Sequence, residues 1–151
     1  MHHFFTQFRG GEFKLGRLEA FSDGVFAIVV TLLVLDLKVP DLDHHNNAQE
    51  LYAALQAQLP RFLSWLISFI IVCKFWLNNH HILNQARYAN YALIWLNSLF
   101  LLFQSLIPFP TALMGQYAGN SLAVSTFGLV MALNTLLFIA LHSYILVPSE
   151  T

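Results

Sequence analysis

The sequence predicts an all-α membrane protein with four transmembrane helices per chain, and three observations carry that prediction. Hydrophobic residues make up 57% of the 151 positions and charged residues only 10%, against about 25% charged in a soluble domain. The charges are gathered, as a bilayer core that cannot solvate them demands. Six fall between Arg9 and Asp23 and five between Asp36 and Glu50; Arg61, Lys74 and Arg87 stand singly, and Glu150 is the last. From Tyr88 to Ser149 there is no charged residue, a stretch long enough for two helices of roughly 20 residues with a connector.

The first span is expected from Phe21 to Leu37, the second from Pro60 to about Asn79, the third from Tyr91 to about Ile107, and the fourth from Leu122 to Val147. Three breaks separate them: Pro40 with Asp41 and Asp43, the polar His80 to Asn90 segment, and Pro108-Phe109-Pro110 running on to Gly115 and Gly119. Each is rich in residues that favour turns over helix. Gln49 to Gln58 is expected to form a short amphipathic helix lying against the second span. No internal repeat or low-complexity segment divides the chain, so residues 1–16 read as an N-terminal segment and 17–151 as one membrane domain.

Met1 to Gly16 lacks the apolar core of a signal peptide, so the first span is expected to be retained. Arg9, Lys14, Arg17, Lys74 and Arg87 flank the spans on one side, against Lys38 and Arg61 on the other. The more basic side, with the N-terminus, is expected in the cytoplasm, and the acidic loop of Asp41, Asp43 and Glu50 outside. Seven Lys and Arg against eight Asp and Glu leave no basic footprint for nucleic acid. A single cysteine, Cys73, excludes an intramolecular disulfide framework and reads as a packed thiol.

The first span is unusual, because its uncharged core runs only from Gly24 to Leu35, about 18 Å at the helical rise. A hydrocarbon core is roughly 30 Å thick, which places Asp23 and Asp36 in or near it unless protein or water shields the helix. A central helix is expected, with a tilted helix as the alternative. On a 3.6-residue period Ile28, Thr31, Leu32 and Leu35 share one face, and Asp23, Ala27 and Val30 lie on another. Around an axis the first set would make stacked apolar rings with one hydroxyl layer, a narrow constriction that opens by wetting. The same periodicity suits an ordinary packed stripe.

Arg17-Leu18-Glu19-Ala20-Phe21-Ser22-Asp23 reads R-x-x-x-F-S-D. It resembles the signature that opens the first helix of the transmembrane protein 175 family, potassium channels of animal endosomes and lysosomes with single-repeat bacterial relatives. Gly24 to Pro40 is similar to that family's pore helix and its exit. Phe75-Trp76 followed by His80-His81 is similar to its second-helix motif, and Asn97 to Tyr117 to its third helix with the PF-x-T end.

The resemblance implies a bacterial plasma (inner) membrane protein: a potassium-selective, voltage-independent leak channel, built as a homotetramer and lined by the first helix of each subunit. Ile28 takes the family's filter position, Leu32 and Leu35 match further apolar rings, and Thr31 matches a hydroxyl layer of bacterial members. Residues 17–151 are then the channel domain. No TVGYG sequence occurs, so a row of carbonyls replacing the ion's hydration shell is not on offer. Asp36 at the outer mouth is expected to concentrate cations. The resemblance also implies a structural polar network of Arg17, Phe21, Ser22, Asp23, Trp76, His80 and His81, in which a buried Asp23 is satisfied by donors rather than carrying protons. Single-repeat members usually have six membrane helices and four are predicted here, so a C-terminally truncated or naturally short form is expected. The expected partners are the bilayer, further copies of the chain and permeant potassium, with no other cofactor and no bound metal.

Two other classes fit the sequence less well. His80, His81 and His142 could supply one axial pair to a haem, but adjacent histidines point about 100° apart on a helix and cannot both face one iron. His44-His45 reads as a solvated loop rather than a metal site. A proton-coupled transporter using Asp23 and a histidine would call for interrupted helices in repeated halves, which the sequence lacks. No nucleophile–base pair or phosphate loop suggests an enzyme.

Overall fold

The computed structural model describes residues 14–44 and 47–146; Arg9, His45 and Val147 lie outside them. Helix α1 covers Leu15–Leu32 and tightens into a 3₁₀ turn over Leu33–Asp36. The remaining helices are α2 (Ala48–Ala57), α3 (Leu59–Leu83), α4 (Tyr91–Ser105), α5 (Pro108–Gln116) and α6 (Ser121–Leu146). Among the described residues there is no strand element. Among the described residues four segments are long and apolar enough to cross a membrane: 15–36, 59–83, 91–116 and 121–146. The chain is a multi-pass membrane protein of the expected all-α class.

Helix starts follow local chemistry. Asn47 caps α2 by accepting from the backbone N–H of Gln49 and Glu50, at 3.1 and 3.3 Å. Asn90 caps α4 through the N–H of Leu93 at 2.8 Å, and its amide also donates to the hydroxyl of Tyr144 at 2.7 Å, tying the end of α6 to the start of α4. Each cap satisfies donors that the first turn leaves without an intrahelical partner. Between α5 and α6, Gly119 takes a φ of +86°, which L side chains adopt only at a cost.

Phenylalanines from all four spans meet at the centre. Phe100 of α4 has its ring centroid 6.1 Å from Phe26 of α1, 5.9 Å from Phe75 of α3 and 6.0 Å from Phe138 of α6. These tilted and edge-on pairings set the ring edge against the neighbouring face, the favoured aromatic arrangement. Phe26 and Phe100 are buried.

Two expectations need correction. The first span begins at Leu15 and reaches Asp36, 22 residues or about 33 Å, so it crosses the core although its uncharged stretch is short. The third span does not end at Ile107. Proline lacks an N–H but is well tolerated in a helix's first turn, so Pro108 opens α5 and the span runs on to Gln116. Helix α2 forms where the amphipathic helix was expected and lies against α3 as expected, with none of its residues fully buried.

Gly115 is therefore a helix residue and not part of a turn. A Cβ added to it would meet Ser64 Oγ at 2.5 Å and the Cα of Arg61 at 2.9 Å. Nearby, Thr111 Oγ1 and Ser68 Oγ are hydrogen-bonded at 2.7 Å across the same α3–α5 contact. Small residues let membrane helices approach backbone to backbone, and the contact depends on Gly115 having no side chain. Gly115→Val is expected to destabilise the bundle by about 1–3 kcal/mol, the usual range for overpacking. Gly128→Val, at a site open for at least 4 Å, is the control in thermal unfolding of detergent-solubilised protein.

Candidate ion pathway

Helix α1 buries one side and leaves the other free. Leu18, Ser22, Phe26, Val29 and Leu33 are buried against the bundle. Arg17, Phe21, Gly24, Ile28, Thr31 and Leu35, spaced three and four apart, form with Leu32 beside them an exposed stripe on the other side. Ile28 is 59% exposed, Leu32 43% and Leu35 69%. Thr31 donates its hydroxyl proton back to the carbonyls of Ala27 and Ile28, both at 2.9 Å. The proton is committed to the helix, so the lone pairs of Oγ1 are the polar feature that Thr31 presents outward. The second predicted face divides: Asp23 and Ala27 are exposed and Val30 is half-buried.

The buried side is fixed by amide chemistry that the sequence reading missed. Asn97 of α4 donates through Nδ2 to Ser22 Oγ at 2.9 Å, and its Oδ1 accepts from Asn79 Nδ2 of α3 at 2.9 Å. Ser22 in turn donates to the carbonyl of Leu18 at 2.9 Å. All three side chains are at most 1% exposed, so one buried chain of hydrogen bonds joins α1, α4 and α3 where water cannot compete. A signal for it existed: Asn97, Gln104 and Thr111 stand seven residues apart, which puts three polar groups on one stripe of the third span.

The expected network is realised in part. Asp23 is exposed on the single chain rather than buried, and its Oδ1 accepts from Trp76 Nε1 at 2.7 Å. Trp76 stacks on His80 with centroids 6.1 Å apart and planes at 27°. Ser22 belongs to the asparagine bridge. Arg17, Phe21 and His81 are exposed and take no part in these contacts. At the other end of α1, Asp36 is half-buried and its Oδ2 has no hydrogen-bond partner among the described residues.

The histidines do not converge. His142 stacks on Phe138 of its own helix, centroids 6.2 Å apart, while His44 lies 3.4 Å from Glu50 in the loop at the Asp36 end. Among the described residues no three His, Cys, Asp or Glu side chains are grouped so as to hold a metal.

Membrane-crossing helices with one span held by buried polar bridges, leaving its apolar-and-hydroxyl side exposed, define a helical membrane protein with one face open to further contacts. The family model described as endosomal/lysosomal potassium channel TMEM175 matches residues 17–108, and the chain belongs to that family of ion channels. It is 39% identical over 130 residues to a protein of Streptomyces collinus named a potassium channel, covering 83% of this chain and 62% of that one. It is 41% identical over 97 residues to the human endosomal/lysosomal proton channel TMEM175, covering 61% of this chain and 19% of the human one. The crystal structure of a lysosomal potassium-selective channel TMEM175 homolog from Chamaesiphon minutus matches with a TM-score of 0.76 at 36% identity, over 84% of this chain and 69% of that one. The chain spans between 51 and 62% of the length of three bacterial relatives that it matches.

Proposed function

We propose that copies of this chain assemble as a homotetramer around the free side of α1 and conduct potassium across a bacterial plasma membrane, with the N-terminus in the cytoplasm. The observation that carries this is the composition of the free side: Ile28, Leu32 and Leu35 exposed in register with the hydroxyl of Thr31. A hydroxyl layer on an otherwise apolar face and a carboxylate at the helix end both suit an ion-conducting path. Four copies of Ile28 would form a constriction narrow enough to require partial dehydration. Potassium holds its water less tightly than sodium, so the smaller ion meets the higher barrier. The outward lone pairs of Thr31 offset part of that dehydration, much as carbonyl oxygens do in other potassium filters. No cofactor beyond the permeant ion enters the mechanism.

Asp36 is suited to the outer mouth by its place at the end of α1, from which a carboxylate attracts cations through its field. Asp36→Asn is expected to lower potassium conductance about twofold at ~0.1 M salt and to change it little at ~1 M, as the screening length falls from ~10 to ~3 Å. Single-channel recordings at both ionic strengths check this.

The proposal is tested by reconstituting the 151-residue chain in liposomes and following potassium efflux beside sodium and caesium. Potassium-selective flux from a tetramer is the expected result. A stable tetramer without flux would oppose the pore assignment. Saturable flux driven by a pH gradient would favour a proton-coupled transporter.

A further inference from the structure

Helix α2 touches the bundle along one side only, and the ion pathway makes no use of it. None of its 10 residues is buried. It meets the rest of the chain through one side, where Glu50, Ala54 and Gln58 are half-buried. Its apolar side points elsewhere: Leu51, Tyr52 and Leu55 are 40, 64 and 52% exposed and fall within a sector of about 100° at 3.6 residues per turn. The opposite edge carries Gln49 and Gln56, and the Tyr52 hydroxyl is held at that edge by the Gln56 amide at 3.0 Å.

We propose that α2 is an interfacial helix whose apolar face sits at the headgroup–acyl boundary of the bilayer, at the Asp36 end of the bundle. Continuity with the membrane face favours this occupant. Only Gln58 separates α2 from α3, and the row Leu51, Leu55, Leu59, Phe62 and Leu63 is exposed throughout, passing without interruption from α2 onto the surface of a membrane span. A helix of this length is marginal in water and needs an apolar surface to persist. A tyrosine with its ring on the apolar side and its hydroxyl at the polar edge suits a membrane boundary. No Lys or Arg occurs between Asp41 and Pro60, so attachment relies on apolar burial and does not need anionic lipid.

The test uses the full chain in phosphatidylcholine vesicles, with Cys73→Ala removing the native thiol. Single cysteines at positions 49, 51, 52, 55 and 56 carry a spin label, and collision with oxygen is compared with collision with a water-soluble nickel chelate. A label at Ile70, an exposed position in α3, verifies that each preparation is folded and inserted. Positions 51, 52 and 55 are expected to favour oxygen and positions 49 and 56 the chelate, with little change between low and high salt. Chelate access at all five would overturn the proposal. Shielding of 51, 52 and 55 from both reagents would overturn it too, since a second copy of the chain would then be covering the face.

Discussion

Ile28→Asn is expected to lower the potassium-to-sodium permeability ratio on the order of tenfold, measured from reversal potentials under bi-ionic conditions. The residue is 59% exposed on the free side of α1 and packs into nothing that its loss would unfold. An amide at that ring hydrates the constriction and supplies donors and acceptors to a sodium ion that has shed part of its shell. A tenfold change corresponds to about 1.4 kcal/mol of differential barrier, modest for replacing four apolar side chains by four polar ones. Ile28→Val, which keeps the ring apolar, is expected to preserve the preference. An unchanged ratio in Ile28→Asn would remove Ile28 from the filter.

The second large effect falls on the fold. Asn97→Leu is expected to destabilise the bundle by about 1–3 kcal/mol, because it leaves Ser22 Oγ without its donor and Asn79 Nδ2 without its acceptor in a buried setting. Hydrogen bonds between membrane helices average below the values in soluble cores, near ~0.6 kcal/mol each, which sets the lower end of that range. Thermal unfolding in detergent measures the loss, and a double-mutant cycle with Asn79→Leu isolates the shared bond. Additive losses from the two substitutions would mean that the Asn79–Asn97 bond contributes no coupling energy. Since Ser22 belongs to α1, Asn97→Leu is also expected to loosen the helix that carries Ile28, so conductance becomes heterogeneous before the protein unfolds.

The spans were legible because apolar runs and gathered charges are dictated by the bilayer itself. Their ends were less so, for identifiable reasons. Proline marks the start of a helix as readily as its end, and Pro108 serves as a start. The free face of α1 could be drawn from periodicity, but Ile28 and Phe26, on opposite faces, are equally apolar; only the packing leaves the first exposed and the second buried. The polar bridge was hidden differently. Asn78, Asn79, Asn97 and Asn134 all sit in apolar segments, and nothing local says which face inward or pair. Trp76 and Asp23, 53 residues apart, came to attention through a resemblance, since no spacing rule connects them. The amphipathic helix was recognised from its sequence, yet the direction of its apolar face depended on the side by which it meets α3.

The central claim is that the free side of α1 lines the conducting path, and silver-ion block of single cysteines tests it most directly. In the Cys73→Ala background, a cysteine replaces Thr31 on the exposed stripe or Val30 on the neighbouring face, and potassium flux is followed as silver is added. Flux through Thr31→Cys is expected to be abolished, because a thiolate-bound silver ion fills a narrow ring. Flux through Val30→Cys is expected to persist. Undiminished flux through Thr31→Cys, with block at Val30→Cys, would place the ions on another face of the helix and contradict the pore assignment.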